Sequence, residues 1–376
     1  MRRRHSLFSL VGLVAIASSC ATIGSTGQGD VDLPSTGVGP FRKLDTTELL
    51  GVAPFVLADR VARYREPSAL AVTPGDGSAN VFLYAVAEQI DAMMNVTHVI
   101  VRSRANDARS FYGTSDDGGH KPRVVATPDA AWEGASLGGP SVLRVGSQIW
   151  LYYAAAGGIG LARSDDGLAF HREAQPVLAH DVNVTWERTP IAAPSVAQLP
   201  DGTFRMLYAS GGFLGEAESA DGIAWRRRDS DTSTPAIDPI LGPGDPVDPA
   251  TLAPGEKPPF DTASVGDPCL LPRITLAGRL HFRVLYTGSD AAGQTTIGFA
   301  ARYGDSGPLT RQLAPLYSVG KHEAAPTLFE WSGGWMLYVH QDKPVDSMTP
   351  SFPSVAAAFA PPSLTLGPPA GFADEP

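Results

Sequence analysis

The chain contains little cysteine and has an acidic charge balance. Only two of its 376 residues are cysteine, Cys20 and Cys269. If Cys20 carries a lipid, as the N-terminal pattern below suggests, no intramolecular disulfide can form, and core burial must stabilise the fold. The formal net charge is −10, and no basic run exceeds three residues. This balance argues against nucleic acid as a partner.

Long apolar runs are absent after the N-terminus, which predicts no membrane-spanning helix in the rest of the chain. The N-terminus itself has three arginines at positions 2–4, followed by an apolar segment at 7–17. This pattern predicts a signal peptide over residues 1–19. The sequence Ala17-Ser18-Ser19-Cys20 resembles a bacterial lipobox, which implies cleavage before Cys20 and its acylation. The alternative is an ordinary secretory signal.

The residues after Cys20 have the composition of a linker. Residues 20–45 are rich in Gly, Ser and Thr, so we expect a flexible tether. The folded domain is then expected over 46–376. With a lipidated Cys20, the protein would be held on a bacterial envelope membrane by its anchor alone, facing the periplasm or the exterior.

Five segments of the domain begin alike, with a proline followed by a small residue. These are Glu66-Pro67-Ser68, Gly139-Pro140-Ser141, Ala193-Pro194-Ser195, Asp267-Pro268-Cys269 and Ala325-Pro326-Thr327. Each leads into a first run, a polar turn and a second run, which is the pattern of a β-hairpin. The second runs end in aromatics at Tyr84, Tyr153, Tyr208, Tyr286 and Tyr338, which we expect in the core.

The repeat length favours a propeller over a β-sandwich, the alternative with similar hairpins. Successive starts lie 54 to 74 residues apart, room for four strands each. Two units continue into Ser-x-Asp-Gly turns, in which Asp166 and Asp221 are expected to cap the turn. We therefore predict an all-β fold, a five-bladed β-propeller with four-stranded antiparallel blades. Segment 46–64 could supply the outer strand of the last blade and close the ring.

The repeat also carries a family resemblance. GPSVLRVGSQIWLYYAAAGGIGLARSDDGLAFHR and FDTASVGDPCLL resemble the five-bladed propellers of the furanosidase-like glycoside hydrolases, over roughly residues 50–365. That superfamily includes arabinanases, β-xylosidases, invertases, levansucrases and related mannoside phosphorylases. The resemblance implies a central funnel in which acids placed just before the blade prolines converge on one sugar. The expected pattern is Asp, Asp and Glu in the first three blades.

This chain carries its acids in different blades. The residue before the proline is Glu66 in the first, Gly139 in the second, Ala193 in the third and Asp267 in the fourth. Our catalytic candidates are therefore Glu66, as base or nucleophile, with Glu187 or Asp267 as the proton donor. Glu187 follows Trp186, a pairing suited to the face of a sugar.

Further candidates surround this set. Trp186, Glu133, Arg188 and Glu323 are expected to bind substrate. Trp132-Glu133 repeats Trp186-Glu187 at the same distance from a blade proline, which favours a shared structural place. The resemblance also allows a Ca²⁺ on the axis with His322 as a ligand, although no acidic ligand cluster accompanies that histidine. No cofactor is otherwise required, and we expect a monomer.

The sequence thus predicts a lipid-anchored protein that acts on or binds a glycan, and leaves open whether it is an enzyme. One reading is a glycoside hydrolase of the furanosidase-like type. The other is a propeller without catalysis that binds carbohydrate or protein, suggested by the missing second-blade acid. A sialidase-type propeller is weaker, because it requires six blades and an arginine triad.

Overall fold

The computed structural model describes residues 42–43, 61–72, 80–91, 93, 95–109, 111, 122–246, 251, 258–274, 280–320, 322–331, 334–342 and 353–360. The expected signal peptide and Cys20 lie outside these residues. Within them, no helix is long and apolar enough to cross a membrane.

The described strands form five small antiparallel sheets, the blades of a propeller. Blade one contains β2 (Val61–Val72), β3 (Asn80–Ile90), β4 (Val96–Ala105) and β5 (Arg123–Ala126). Blade two contains β6 (Gly138–Val145), β7 (Gln148–Ala155) and β8 (Gly158–Ser164), with short β9 (His171–Arg172) and β10 (Leu178–Ala179) both paired to β8. Blade three contains β11 (Ala192–Gln198), β12 (Phe204–Ser210), β13 (Phe213–Ser219) and β14 (Arg226–Arg228).

The last two blades complete the ring. Blade four contains β15 (Ser264–Ile274), β16 (Leu280–Ser289), β17 (Thr295–Tyr303) and β18 (Thr310–Arg311). Blade five contains β19 (Ala324–Trp331), β20 (Gly334–Asp342), β21 (Pro353–Ala360) and β1 (Arg42–Lys43). The predicted five-bladed fold is confirmed, and five blades do not fit the sialidase alternative.

The N-terminal side of the chain closes the ring, but through a different segment from the one expected. Arg42 pairs with Phe359 and Lys43 with Ala358, so the outer strand of blade five precedes segment 46–64. Residues 61–64 of that segment belong instead to β2, the inner strand of blade one. Two residues of the expected tether thus take part in a sheet, which covers an edge that would otherwise be unpaired.

The hydrophobic core lies between the blades. Five clusters of buried side chains each join two neighbouring blades, including the pair formed by blades five and one. The five predicted core tyrosines are all buried. The two Asp turns form as expected: Asp166 accepts amide hydrogen bonds from Leu168 and Ala169, and Asp221 caps the corresponding turn of blade three.

At the axis, the five inner strands contact one another in a closed circle. The residue after each blade proline accepts a hydrogen bond from an amide of the next inner strand; we call these five residues the acceptor ring. The pairs are Ser68 with Val142, Ser141 with Val196, Ser195 with Leu270, Cys269 with Leu328 and Thr327 with Ala69. The four oxygen acceptors lie 2.8 to 3.3 Å from their amides.

Cys269 is the weak member of the acceptor ring, because a thiol is a poorer acceptor than a hydroxyl. We expect Cys269→Val to leave the buried Leu328 amide unsatisfied and to lower the free energy of unfolding by about 1–3 kcal/mol. Cys269→Ser should retain the acceptor and remain close to the wild type. Chemical denaturation of the three proteins checks this, and a Val variant as stable as the wild type would contradict the role of the ring.

Candidate functional site

A β-bulge at the start of each inner strand sets the direction of the side chain before the proline. The register between inner and middle strands shifts at this point in all five blades. The φ angles are 51° at Glu66, 48° at Gly139, 46° at Ala193, 43° at Asp267 and 48° at Ala325. This left-handed conformation is unfavourable for residues with a Cβ. Since it recurs in every blade, it belongs to the architecture, and bulges of this kind re-aim side chains.

The five bulges surround a small cavity on the propeller axis. It has a volume of about 50 Å³ and is lined by residues 66–68, 139–141, 193–195, 267–269 and 325–327. Among these lining residues, only Glu66 and Asp267 are charged. The predicted convergence of pre-proline side chains therefore brings together two of the three catalytic candidates, Glu66 and Asp267.

The second-blade position is closed to any side chain. A Cβ at Gly139 would lie 2.6 Å from Ala193 Cα and 2.9 Å from Ala193 N, at a positive φ. The carboxylate of Glu66 bends toward this place instead, where its Oε2 accepts the Gly139 amide at 2.6 Å. The long side chain of blade one thus carries its acid to the border of blade two.

Asp267 is held in the corresponding way at the border of blades four and five. Its carboxylate accepts hydrogen bonds from the Ala325 amide and the Thr287 hydroxyl. The same amide also donates to Thr287 Oγ1 at 2.9 Å. Both acids therefore accept the pre-proline amide of the next blade, but Asp267 has an additional side-chain partner.

Burial raises the pKa of both carboxyl groups. For Glu66, burial is opposed by the Gly139 amide and Arg65 and reinforced by the charge of Asp267. For Asp267, burial is opposed by the Thr287 hydroxyl, by His340 and by the Ala325 amide. The side chain of Glu66 is nevertheless 31% exposed, so this acid is accessible from solvent.

Polar residues flank the pair on the side of blades five and one. The Arg65 Nε lies 3.8 Å from Glu66 Oε1, and its guanidinium donates to His98 Nε2. Burial and the Arg65 charge lower the pKa of His98, which keeps that imidazole neutral and able to accept. Burial also lowers the pKa of His340, whose Nε2 lies 3.4 Å from Asp342 Oδ1.

Thr287 and His340 are absent from the sequence candidates, although the strand register relates them. Each lies on a middle strand, two residues beyond the one that pairs with the acceptor ring; the equivalents in blades one to three are Val86, Ala154 and Ala209. At this register, only blades four and five carry a polar residue. That difference is the sequence signal that could have identified Thr287 and His340.

Glu187, the third catalytic candidate, lies outside the axial cavity and is buried. Its oxygens bind Arg227 at 2.7 and 2.8 Å, the Tyr208 hydroxyl at 2.9 Å and the Asp181 amide at 3.1 Å. These contacts replace the expected role of proton donor with a structural one. Trp186 is likewise buried and stacks on Tyr208 with ring centroids 5.7 Å apart, so no face is open to a sugar.

Glu133 repeats this arrangement, as its shared spacing indicated. It is buried, accepts the Tyr153 hydroxyl at 2.6 Å and pairs with Arg172 at 3.0 Å. Hydrogen bonds and the Arg172 charge lower its pKa despite burial. In blade four, Asp261 accepts the Tyr286 hydroxyl and pairs with Arg311 in the same way. Glu133, which was expected to bind substrate, thus belongs to a buried motif that fastens the loop before an inner strand to its blade.

The remaining candidates do not join the acid pair at the cavity. Arg188 is exposed, and Glu323 is buried and accepts the Val319 amide at 3.2 Å. His322 is exposed with a φ of 55°. Within the part of the chain that is described, no group of three metal-ligating side chains forms, so a Ca²⁺ held by His322 gains no support.

No family model and no curated protein matches this sequence. Solved structures do share its shape. A protein described as a glycoside hydrolase has a TM-score of 0.53 at 14% identity, covering 94% of this chain and 99% of its own. The α-L-arabinofuranosidase of Podospora anserina, solved with cellotriose, has a TM-score of 0.55 at 9% identity, covering 83% and 96%.

A third relative in shape has a different activity. The β-1,2-mannobiose phosphorylase of Listeria innocua, solved with β-1,2-mannobiose, has a TM-score of 0.53 at 13% identity, covering 86% and 98%. The chain has the fold of the five-bladed glycoside-hydrolase propellers. The resemblance inferred from the blade pattern is thus confirmed as a likeness of fold.

The buried role of Glu187 can be tested by its removal. We expect Glu187→Gln to lower the free energy of unfolding by about 3–5 kcal/mol, because it leaves the buried Arg227 charge without its counterion. Glu173→Gln is the matched control: Glu173 pairs with Arg163 near the surface, where a pair contributes about 0–1 kcal/mol. Thermal and chemical unfolding measure both. An unchanged stability for Glu187→Gln would return Glu187 to the catalytic candidates.

Proposed function

We propose that this protein cleaves glycosidic bonds, with Glu66 and Asp267 as its two acids. One observation carries the proposal: these are the charged side chains among the described residues that line the axial cavity, and both have raised pKa values. Strongly perturbed carboxyl groups that converge in a cleft favour a catalytic role over a structural one. Paired carboxyl groups are also what glycoside hydrolysis requires.

The surroundings favour different tasks for the two acids. Asp267 receives more hydrogen bonds that favour its charged form, so it ionises first, and its charge then opposes ionisation of Glu66. Glu66 is accordingly the general acid and donates its proton to the leaving glycosidic oxygen as the C–O bond breaks. Asp267 is the base that takes a proton from the water that adds to the anomeric carbon. This reverses the roles expected from the sequence.

The cavity volume constrains how a sugar can bind. About 50 Å³ is far below the ~300–1,000 Å³ of an ordinary small-molecule pocket. Only one edge of a sugar can therefore enter, and the rest must lie over the mouth of the cavity. We propose an oligosaccharide or glycan as the substrate.

The alternative is a carbohydrate-binding propeller without catalysis. The backbone at Gly139 supports this alternative. A Cβ there would collide with Ala193, so no acidic side chain can replace the glycine. The two hypotheses differ in one outcome, which is turnover. A module of this kind would bind oligosaccharides on a glycan array and release no reducing sugar.

The decisive test is a screen of the wild type against 4-nitrophenyl α-L-arabinofuranoside, 4-nitrophenyl β-D-xylopyranoside and plant and microbial oligosaccharides, with and without inorganic phosphate. On any substrate cleaved, Glu66→Gln and Asp267→Asn should each lower kcat by about 100-fold or more, since each removes an acid–base group. Glu173→Gln serves as the control with full activity. Undiminished cleavage by Glu66→Gln would sink the proposal, and binding without turnover would favour the alternative.

Glu66→Gln and Asp267→Asn should both be more stable than the wild type at neutral pH. A loss of activity in a more stable variant cannot be caused by misfolding. An acid with a raised pKa stabilises the fold fully below its ordinary value, here 4.5 for Glu66 and 3.8 for Asp267. That contribution is lost as the pH rises through the raised value. The gain in melting temperature should therefore appear at pH 7 and vanish toward pH 3.

We also propose that the protein is exported and held at the cell envelope by a lipid on Cys20. The basic, apolar and small-residue sequence of positions 2–20 supports this. Expressed in a bacterial host with labelled palmitate, the wild type should incorporate label and partition with membranes. Cys20→Ser should do neither, whereas Cys269→Ser should behave as the wild type. A soluble, unlabelled wild type would leave only the ordinary secretory signal.

A further inference from the structure

Thr287 occupies a position on β16 that is apolar in the first three blades. It pairs with Gly266, and the residues at the same register are Val86, Ala154 and Ala209. A buried hydroxyl in a strand between apolar cores costs free energy unless its hydrogen bonds are made. Thr287 is 7% exposed, so its partners explain its presence.

Those partners lie at the border of blades four and five. Thr287 Oγ1 accepts the Ala325 amide at 2.9 Å, which leaves its single O–H free to donate. The acceptor for that proton is the Asp267 carboxylate. Because an N–H can only donate, the amide leaves the hydroxyl proton of Thr287 available for Asp267, which follows Gly266, the cross-strand partner of Thr287.

We propose that Thr287 is a positioning residue that holds the Asp267 carboxylate in one orientation and in its ionised form. The effect of Thr287 on catalysis rests on the proposed function, whereas its effect on the titration of Asp267 does not. Among the described residues, the place equivalent to Thr287 beside Glu66 is occupied by Val86, which has no hydroxyl. One threonine thus makes two similarly placed acids unlike each other.

The other charged groups around Asp267 do not replace this contact. Glu66 lies in the same cavity and carries charge of the same sign. Burial and Arg65 lower the pKa of His340, which faces Asp267 from β20; when protonated, His340 lowers the pKa of Asp267, and it does so equally in every Thr287 variant. The backbone amide of Ala325 remains in any variant, but Asp267 shares it with Thr287 Oγ1.

The test uses the full-length chain and needs no substrate. Carbon-13 labelling of aspartate carboxyl groups, with Asp267→Asn to assign the signal, gives the Asp267 titration by NMR. Thr287→Val should move this titration to higher pH, because the charged form loses a hydrogen bond. Thr287→Ser, which keeps the hydroxyl, should restore the wild-type curve.

The matched control is Ser210→Ala, which removes another buried middle-strand hydroxyl, bonded to the Thr189 carbonyl at 2.6 Å. It should leave the Asp267 titration unchanged. An unaltered titration in Thr287→Val, or an equal shift in Ser210→Ala, would overturn the proposal. Thr287→Val and Ser210→Ala are compared at the same folded fraction. A shift of the Asp267 titration caused only by loss of structure would therefore appear in both.

Activity gives a second, separable result. On a substrate cleaved in the screen above, Thr287→Val should lower kcat about ten-fold or more on the acidic limb of the pH profile, with KM little changed. The loss should disappear at higher pH, where Asp267 is ionised in both proteins. If Asp267→Asn retains activity, the proposed function fails, yet the NMR titration still decides the role of Thr287.

Discussion

The fold depends on the acceptor ring at the propeller axis. Five side chains, one from each blade, accept an amide of the neighbouring inner strand, and the fifth returns to the first. Inner strands of a propeller have no partner strand on their axial side, so their amides there require another acceptor. The small residue after each proline provides it. This requirement explains why Ser, Thr or Cys occurs at that position in all five repeats.

The ring also determines where chemistry can occur. It draws the five inner strands together around a small axial cavity, which is bordered by the bulges before the prolines, where the backbone is left-handed in every blade. Desolvation raises the pKa of both Glu66 and Asp267, and the charge of Asp267 raises the pKa of Glu66 further. The site is therefore a consequence of blade geometry plus the choice of side chain. Here that choice is Glu66 and Asp267, with Gly139 and Ala193 packed against each other.

Much of the fold followed from the sequence, because the Pro-Ser starts and hairpin turns are local signals repeated five times. For the candidate site, the alignment selected Glu66 and Asp267, which line the axial cavity, and also Glu187, which does not. Trp186 and Glu187 resemble a sugar platform in sequence, and only tertiary contacts with Tyr208 and Arg227 reveal a buried clamp.

Register explains the residues that the sequence could not indicate. The residue opposite the acceptor ring is Tyr84, Tyr152 or Tyr338 in three blades but Leu207 or Leu285 in the other two. The sequence alignment on Tyr84, Tyr153, Tyr208, Tyr286 and Tyr338 is therefore displaced by one in blades two, three and four. A shift of one residue moves a side chain to the opposite face of a strand. Thr287 and His340, equivalent in space, consequently appear unrelated in sequence.

The pairing of β1 with β21 has a consequence for folding. Arg42 must find Phe359 after almost the whole chain has been made, so the contact between them is among the most distant in sequence. Loop-closure entropy makes such contacts slow to form. Blades one to four can assemble from neighbouring hairpins as they are synthesised, whereas blade five must wait for both ends. A chain truncated near its C-terminus would consequently lose the partner of β1 and present an open sheet edge, a known cause of aggregation.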